Sequence, residues 1–456
     1  MCSPPSAPSR STRRGSATGA GFILVLVAAA AALVRAQAPP IPRSGDSFDV
    51  SQYAVELVLD VTAGTISGHE RIELTVRDAT RSLVFDSGAL AVESVADGRG
   101  PLPFVQGARR LIVTLPAEAP AGEHRRIDVT YHGAPRNGLT LLADSAQAYT
   151  AFSTSQWMVA VDAPDDRATL DLEVTMPTGW KAAGSGRQMA GAGRKGRTVY
   201  HWRQDRDVPT YTFGFVAGMF AEVTQAHRGL ALRYLGAAFP ADDLRRIFRD
   251  TPAMMDFLEE RAGVPYPGDA YTQALVPVSG GQELAGLSHM SDAYGRTVLA
   301  DATATSLIAH ELAHQWWGNL VTNRDWTHFW LNEGFATFMA AAYKERVRGR
   351  DAYQADVEGW RRRVDQLRAA GTDKALVFPD WNRPSADDRA VVYQKGALVL
   401  HELRELLGDT PFWAAVRAYT QRHAGQPVTS TDLQRAFEAS SGRDLSRFFG
   451  ERVYQR

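Results

Sequence analysis

Residues 310–333 constrain the fold of this chain more than any other segment, because they set three potential metal ligands at fixed spacings. The segment reads HELAHQWWGNLVTNRDWTHFWLNE. His310 and His314 are four positions apart, so on one helix both imidazoles project from the same face. Glu311 lies one position round that helix from His310, and Glu333 follows His314 after eighteen intervening residues. The spacing predicts two helices, the second of which begins near Glu333.

Two neutral imidazoles and one carboxylate form the ligand set that holds a catalytic zinc ion with its fourth position open to water. A buried helix with two hydrogen-bonded histidines and no metal is the alternative interpretation. The rest of the helix favours the metal site, because Ile308 and Leu312 give it an apolar back that can pack into a core. We therefore predict one zinc ion per chain, held by His310, His314 and Glu333.

The second acidic residue of the motif, Glu311, is predicted to be a general base. It cannot easily bind the same ion as the histidines on either side, but it can reach a water molecule bound there. Zinc lowers the pKa of such a water to about 7, and a carboxylate can take its proton as it attacks a carbonyl. The sequence has no G-x-S-x-G segment that would support serine chemistry. The motif therefore predicts hydrolysis of an acyl bond without a covalent intermediate.

Composition limits the remaining possibilities. A length of 456 residues predicts two or three domains. The formal net charge of −1 gives no sign of a polyanion-binding surface, so we expect no nucleic-acid partner. Cys2 is the one cysteine, which excludes a disulfide framework and a thiolate metal site. A metal in this chain must be held by histidine and carboxylate.

The N-terminus has the features of an export signal. Arginines at 10, 13 and 14 precede an uncharged apolar run over 21–34. That run is short for a bilayer core of about 30 Å. We predict a signal peptide over 1–36, a linker over 37–47 and a secreted or periplasmic protein. An uncleaved N-terminal anchor, which would bring the protein to a membrane, is the alternative.

The hydrophobic period changes once along the mature chain. Segments with period two, such as 53–61, 69–76 and 169–176, predict strands over 48–238, and helical periodicity dominates 239–456. Short strands at this spacing are typical of an antiparallel sandwich or saddle. We therefore predict a multi-domain α+β fold, with an N-terminal antiparallel β domain (48–238) followed by an α/β catalytic domain (239–456).

The motif and its surroundings resemble a known family. HELAHQWWGN followed by WLNEGFATF (330–338) is similar to the gluzincin aminopeptidases of the alanyl-aminopeptidase type, peptidase family M1. FLEERAGVPYP (257–267), VVYQKGALVLHEL (391–403) and WMVAVDAPDDRATLDLEVTMPTGW (157–180) agree as well, so the likeness extends over about 48–456. The resemblance implies a thermolysin-like catalytic domain and removal of N-terminal residues from peptides.

The resemblance also implies two roles that spacing alone does not. Tyr393, in VYQKGA, matches the family tyrosine that donates a hydrogen bond to the oxyanion; on its own it would be interpreted as a core tyrosine. GGQEL (280–284) aligns with the exopeptidase motif G-x-M-E-N, in which Glu283 matches the carboxylate that binds the substrate's α-amine. We predict that Gly280, Gly281 and Glu283 bind substrate. A loop glutamate after two turn-forming glycines is the alternative.

The chain departs from the family in two respects. Gln282 and Leu284 stand where the family usually has Met and Asn, so contacts to the substrate backbone are expected to differ. Long members of the family carry a helical C-terminal domain that covers the cleft, whereas this sequence stops where the family's catalytic domain ends. A more open cleft is therefore expected. A zinc endopeptidase or broader hydrolase, with Glu283 only structural, and a non-catalytic peptide-binding protein remain as alternatives. No oligomeric state is predicted.

Overall fold

The computed structural model describes residues 43–455, except residues 108, 195, 380, 382 and 383. The predicted signal peptide and residues 37–42 of the predicted linker lie outside the described residues. Among the helices that are described, none combines the length and the apolar character needed to cross a membrane.

The N-terminal part of the chain is built from strands. These are β1 (Phe48–Asp60), β2 (Thr65–Val76), β3 (Thr80–Asp86), β4 (Ala91–Asp97), β5 (Gly100–Pro101), β6 (Phe104–Gly107), β7 (Arg110–Ala119), β8 (His124–Gly133), β9 (Leu139–Leu142), β10 (Gln147–Thr150), β11 (Arg167–Pro177), β12 (Lys181–Gly184), β13 (Arg187–Gln188), β14 (Ala192–Arg194), β15 (Arg197–Pro209) and β16 (Phe215–Gly218).

Most of these strands form a large sheet with the order β13-β15-β11-β1-β2-β8-β4-β5. Its longest strands alternate between buried and exposed side chains, as Tyr53, Val55 and Leu57 show on β1. Smaller sheets with the orders β3-β7-β6 and β12-β16-β10-β9 complete this part of the chain. The predicted antiparallel β domain is present, with one exception: β1 and β11 pair in parallel.

The remaining strands and the helices form the second part of the chain. The strands are β17 (Ala221–His227), β18 (Leu230–Gly236), β19 (Ala270–Val276), β20 (Gly281–Leu284), β21 (Leu287–Ser291), β22 (Thr322–Asn323) and β23 (Pro427–Val428). The helices are α1 (Ala241–Ile247), α2 (Thr251–Ala262), α3 (Asp292–Ala300), α4 (Ser306–Ala313), α5 (Trp330–Arg348), α6 (Arg350–Ala370), α7 (Ala386–Ala390), α8 (Gly396–Leu407), α9 (Asp409–His423), α10 (Ser430–Ser441) and α11 (Ser446–Arg452).

A mixed sheet with the order β17-β18-β19-β21-β20 lies at the start of this second part. Its first two strands correct the predicted domain division at residue 238. β18 pairs in parallel with β19, and Val223 and Leu232 belong to the same core as the helices. The structure therefore places the division between Gly218 and Ala221. The hydrophobic period changes only after this division, because the helical domain begins with two strands, β17 and β18.

A small apolar cluster joins the two parts of the chain. Tyr149 and Val216, from β10 and β16, pack against Leu235, Leu284 and Leu287 of the mixed sheet. The side chain of Leu284 is fully buried in this cluster. The residue that replaces the family's usual Asn thus has a packing role, and it fixes the edge strand β20 between the β domain and the helices.

Candidate active site

Helices α4 and α5 bring the predicted metal ligands together. His310 lies near the end of α4, His314 caps that helix, and Glu333 lies in the first turn of α5. The two Nε2 atoms are 3.0 Å apart. Glu333 Oε2 lies 3.2 Å from His310 Nε2 and 3.4 Å from His314 Nε2. Three donor atoms therefore converge on one point.

This triangle fits a tetrahedral zinc ion. Ligand atoms about 2.0–2.2 Å from such an ion lie about 3.3–3.6 Å from one another. His314 Nδ1 is 3.0 Å from the carbonyl oxygen of Trp317, to which it donates, so its Nε2 keeps a lone pair for the metal. Thr337 Oγ1 lies 3.5 Å from His310 Nδ1. The sequence did not identify either of these orienting partners.

The charges in the site also favour a cation. Burial lowers the pKa of His314, but the carboxylates of Glu333 and Glu283 outweigh it and raise the pKa to about 10. Burial raises the pKa of Glu333, but the charge of His314 and hydrogen bonds from both histidines lower it to about 2. Without a metal ion, the carboxylates therefore keep a proton on the imidazole of His314. A bound metal ion would supply the positive charge in place of that proton.

Two further carboxylates lie beside the triangle. Atoms of Glu283, Glu311 and His314 all lie within 4.8 Å of one another. Burial, with the charge of the neighbouring carboxylates, raises the pKa of Glu311 well above its usual range and that of Glu283 to about 7. Among the described residues, none donates a hydrogen bond to Glu311 Oε2 or Glu283 Oε1. Both oxygens are therefore buried acceptors without a donor, and both residues line the same cleft.

The strand that carries Glu283 is held by side-chain amides of the segment that follows α4. Asn319 Nδ2 donates to the carbonyl oxygen of Glu283 at 3.1 Å, and Gln315 Nε2 donates to that of Leu284 at 3.1 Å. The close approach needs a glycine, because a Cβ added at Gly281 would lie 2.1 Å from Glu311 Oε1. Sequence analysis assigned no role to Gln315 or Asn319, because their partners on β20 lie far from HELAHQWWGN, the segment that contains both residues.

Tyr393 reaches the site from a π-helical segment, Val391–Lys395, between α7 and α8. Single π-helical turns inside helices often mark functional positions. The phenol ring stacks on the imidazole of His310, with centroids 5.7 Å apart and planes 7° from parallel. Burial and the carboxylates of Glu333 and Glu283 raise the pKa of Tyr393 well above its usual range. The hydroxyl stays protonated and can donate a hydrogen bond.

One cleft of about 780 Å³ contains all the predicted site residues: Gly280, Gly281, Glu283, His310, Glu311, His314, Glu333 and Tyr393. Ala151 and Phe152 of the N-terminal part also line it. The backbone of Phe152 is left-handed, with φ of 45°, a strained conformation for an aromatic residue. Both parts of the chain therefore form the cleft. It combines a metal-ligand triangle, a free carboxylate for proton transfer, a second carboxylate and a hydroxyl donor.

Comparison with known proteins relates this chain to one family of peptidases. The profile of the Peptidase family M1 domain matches residues 248–451. A solved M1 zinc metallopeptidase from Deinococcus radiodurans superposes with a TM-score of 0.76 at 27% identity, over 90% of this chain and 95% of that one. Residues 248–451 are therefore a Peptidase family M1 domain. The predicted α+β architecture is confirmed, because a mutant two-domain M1 zinc metallopeptidase bound to L-tryptophan also superposes, with a TM-score of 0.77 over 91% of this chain and 96% of that one.

Two further relatives are longer than this chain. Aminopeptidase N from Streptomyces lividans is 28% identical over 422 residues, which are 87% of this chain and 46% of that protein. Leukotriene A-4 hydrolase from Xenopus laevis is 25% identical over 427 residues, which are 86% of this chain and 68% of that protein. The chain thus spans about half the length of the first of these relatives.

Proposed function

We propose that this chain is a zinc-dependent aminopeptidase that hydrolyses the first peptide bond of peptides with a free N-terminus. One observation carries the proposal. The donor triangle of His310, His314 and Glu333, with edges of 3.0–3.4 Å, has the carboxylate of Glu283 beside it in the same cleft, and the Oε1 atom of that carboxylate has no donor among the described residues. A metal site explains hydrolysis, and a second buried carboxylate explains a preference for a cationic N-terminus.

His310, His314 and Glu333 would hold the zinc ion. Bound zinc supplies Lewis acidity, which makes water more acidic and polarises a carbonyl group. Glu311 Oε2 takes the proton of the attacking water and delivers it to the nitrogen of the departing amine. Glu311 Oε2 suits this role, because it is an acceptor to which none of the described residues donates a hydrogen bond.

Tyr393 and Glu283 act on the substrate itself. The protonated hydroxyl of Tyr393 donates a hydrogen bond to the carbonyl oxygen, and this bond strengthens as negative charge develops there. Glu283 Oε1 accepts a hydrogen bond from the α-ammonium group of the peptide. This contact offsets repulsion between the ammonium and the metal, and it places the first peptide bond over the site.

The relatives support this substrate class. Aminopeptidase N is named for the activity, and the structures that superpose on this chain include a mutant M1 zinc metallopeptidase from Deinococcus radiodurans bound to a Tyr-Ser-Ala substrate. That neighbour superposes with a TM-score of 0.76, and the superposition covers 90% of this chain and 95% of the neighbour. The likeness therefore extends over both parts of the chain.

Metal analysis and mass spectrometry of a mixed peptide library test the proposal. We expect about one zinc ion per chain and products shortened one residue at a time from the N-terminus. Products cut at internal bonds would indicate an endopeptidase instead. Bound zinc without turnover of any peptide would indicate a peptide-binding protein.

We also propose that the chain is exported, with a mature N-terminus between Gln37 and Pro39. The arginines and the short apolar run described above support this proposal. N-terminal sequencing of protein expressed in a bacterial host tests it. A membrane-bound product that keeps Met1 would contradict it.

A further inference from the structure

The wall of the cleft beside Glu283 contains a pair of polar side chains without an assigned role. Gln282 on β20 pairs directly with His289 on β21, so both side chains lie on the same face of the sheet. The Cβ atoms of such a pair are about 4.5–5.5 Å apart. Both residues line the cleft, and their exposed fractions are 1% and 0%. The pair is therefore a buried polar patch next to the carboxylate assigned to the α-amine.

The hydrogen bonds of this pair leave two acceptors. Gln282 Nε2 donates to Glu283 Oε2 at 2.8 Å, and His289 Nε2 donates to the carbonyl oxygen of Thr150 at 2.8 Å. Burial lowers the pKa of His289 to about 4, so the ring is neutral and its Nδ1 is an acceptor. No residue in the described part of the chain donates to Gln282 Oε1 or to His289 Nδ1.

Buried acceptors without a donor make a pocket selective. A side chain that donates a hydrogen bond satisfies them, whereas an apolar side chain leaves them unpaired at a cost. A site that hydrogen-bonds a group of the substrate discriminates strongly against analogues without that group. An apolar pocket discriminates only weakly between side chains of similar size. The family's usual Met, in place of Gln282, would offer no such acceptor.

We propose that Gln282 and His289 form an acceptor pocket that selects peptides whose first side chain ends in an N–H or O–H donor. The inference rests on the proposed function. If Glu283 holds the α-amine, the first side chain branches from the adjacent carbon and lies against Gln282. Gln282 thus has two roles. Its amide nitrogen orients Glu283, and its amide oxygen accepts a hydrogen bond from the first side chain of the peptide.

Two matched pairs of tripeptides, identical after the first residue, test the inference. One pair begins with Lys or norleucine, which differ by the terminal ammonium, and the other with Tyr or Phe, which differ by the hydroxyl. We expect wild-type kcat/KM to favour the donor-bearing member at least tenfold in at least one pair. The pair that shows the effect identifies the donor as cationic or neutral. Calorimetry with the free amino acids should show the same order of affinity without any turnover.

Gln282→Met should reduce the ratio to about threefold or less. Because both members of a pair lose the hydrogen bond to Glu283 equally, the ratio isolates the effect on the first side chain. Gln394→Met is the matched control: Gln394 also lines the cleft, but from the π-helical segment, and its replacement should leave the ratio as in wild type.

Ratios near one in both pairs for the wild type would overturn the inference, as would a Gln282→Met variant that keeps the wild-type ratio. Neither result affects the proposed aminopeptidase, because all four peptides would still lose their first residue. Failure to cleave any free-amine peptide would instead contradict the proposed function.

Discussion

Two regions of the molecule supply the site, and they are built in different ways. The α4–α5 pair carries His310, His314 and Glu333, whose relative positions follow from helix geometry and one connection. The edge strand β20 carries Glu283, and its position depends on residues distant in sequence. Asn319 and Gln315 hold its carbonyl oxygens, and Leu284 anchors it to the apolar cluster that joins the two parts of the chain.

The difference separates two requirements of the proposed exopeptidase activity. Hydrolysis needs metal ligands, a base and a hydroxyl donor, which the helical segments would provide. Selection of the N-terminus needs a carboxylate at a fixed distance from the metal, which β20 would provide. Substitutions in the two regions should therefore have different effects: those on the helices should abolish metal binding or turnover, and those on the strand should change substrate preference.

The largest effect is expected on α5 and α4. Glu333→Ala should lose zinc, with a fall in affinity larger than the roughly 10–100-fold that outer-shell substitutions cause. Glu311→Gln should keep zinc and lose about 10²–10⁴-fold in kcat, because the general base is gone. Metal analysis beside steady-state kinetics measures both. A Glu311→Gln protein with nearly normal kcat would show that the mechanism is wrong.

Tyr393→Phe should lower kcat about 10²–10³-fold with little change in KM, because the hydrogen bond strengthens only as charge develops on the oxygen. Zinc content should be unchanged. If the variant instead melts at a lower temperature and keeps kcat per folded molecule, Tyr393 would be a packing residue and the helical region would supply only the metal and the base.

Glu283→Gln should remove the preference for a free N-terminus. We expect the wild type to cleave a free-amine peptide about 10–100-fold faster than its N-acetylated twin, since the acetylated peptide leaves the buried carboxylate unpaired. The variant should lose most of that ratio through the free-amine peptide. Equal cleavage of both peptides by the wild type would point to an endopeptidase and would remove the functional contrast between the two regions.

The smallest effect is expected for Asn319→Ala, which loosens β20 without touching substrate. Loss of one buried hydrogen bond should raise KM for free-amine peptides by about threefold to tenfold. Gln421→Ala is the control, because Gln421 also donates to a backbone carbonyl, that of Gly263, but does not line the cleft. An Asn319→Ala variant that loses kcat and zinc instead would show that the strand and the metal site are not separable.

The amino-acid sequence by itself predicted the metal-binding segment. The spacing of His310, Glu311 and His314 places side chains by helix geometry alone, so the pattern could be interpreted without tertiary structure. The order of a β domain followed by a helical domain was also visible in the hydrophobic period. The division at residue 238 was not: β17 and β18 have strand periodicity, and their membership of the helical domain depends on pairing with β19.

Only the tertiary structure decided what surrounds the metal triangle. Nothing local distinguishes Asn319 or Gln315 from a surface amide, because their partners lie 36 and 31 residues away. Leu284 and Gln282 were visible only as departures from a family pattern, and their burial and pairing with Leu287 and His289 gave them separate roles. Short-range spacing determines side-chain direction within a helix, but the partners of an edge strand are set by long-range packing that no local pattern encodes.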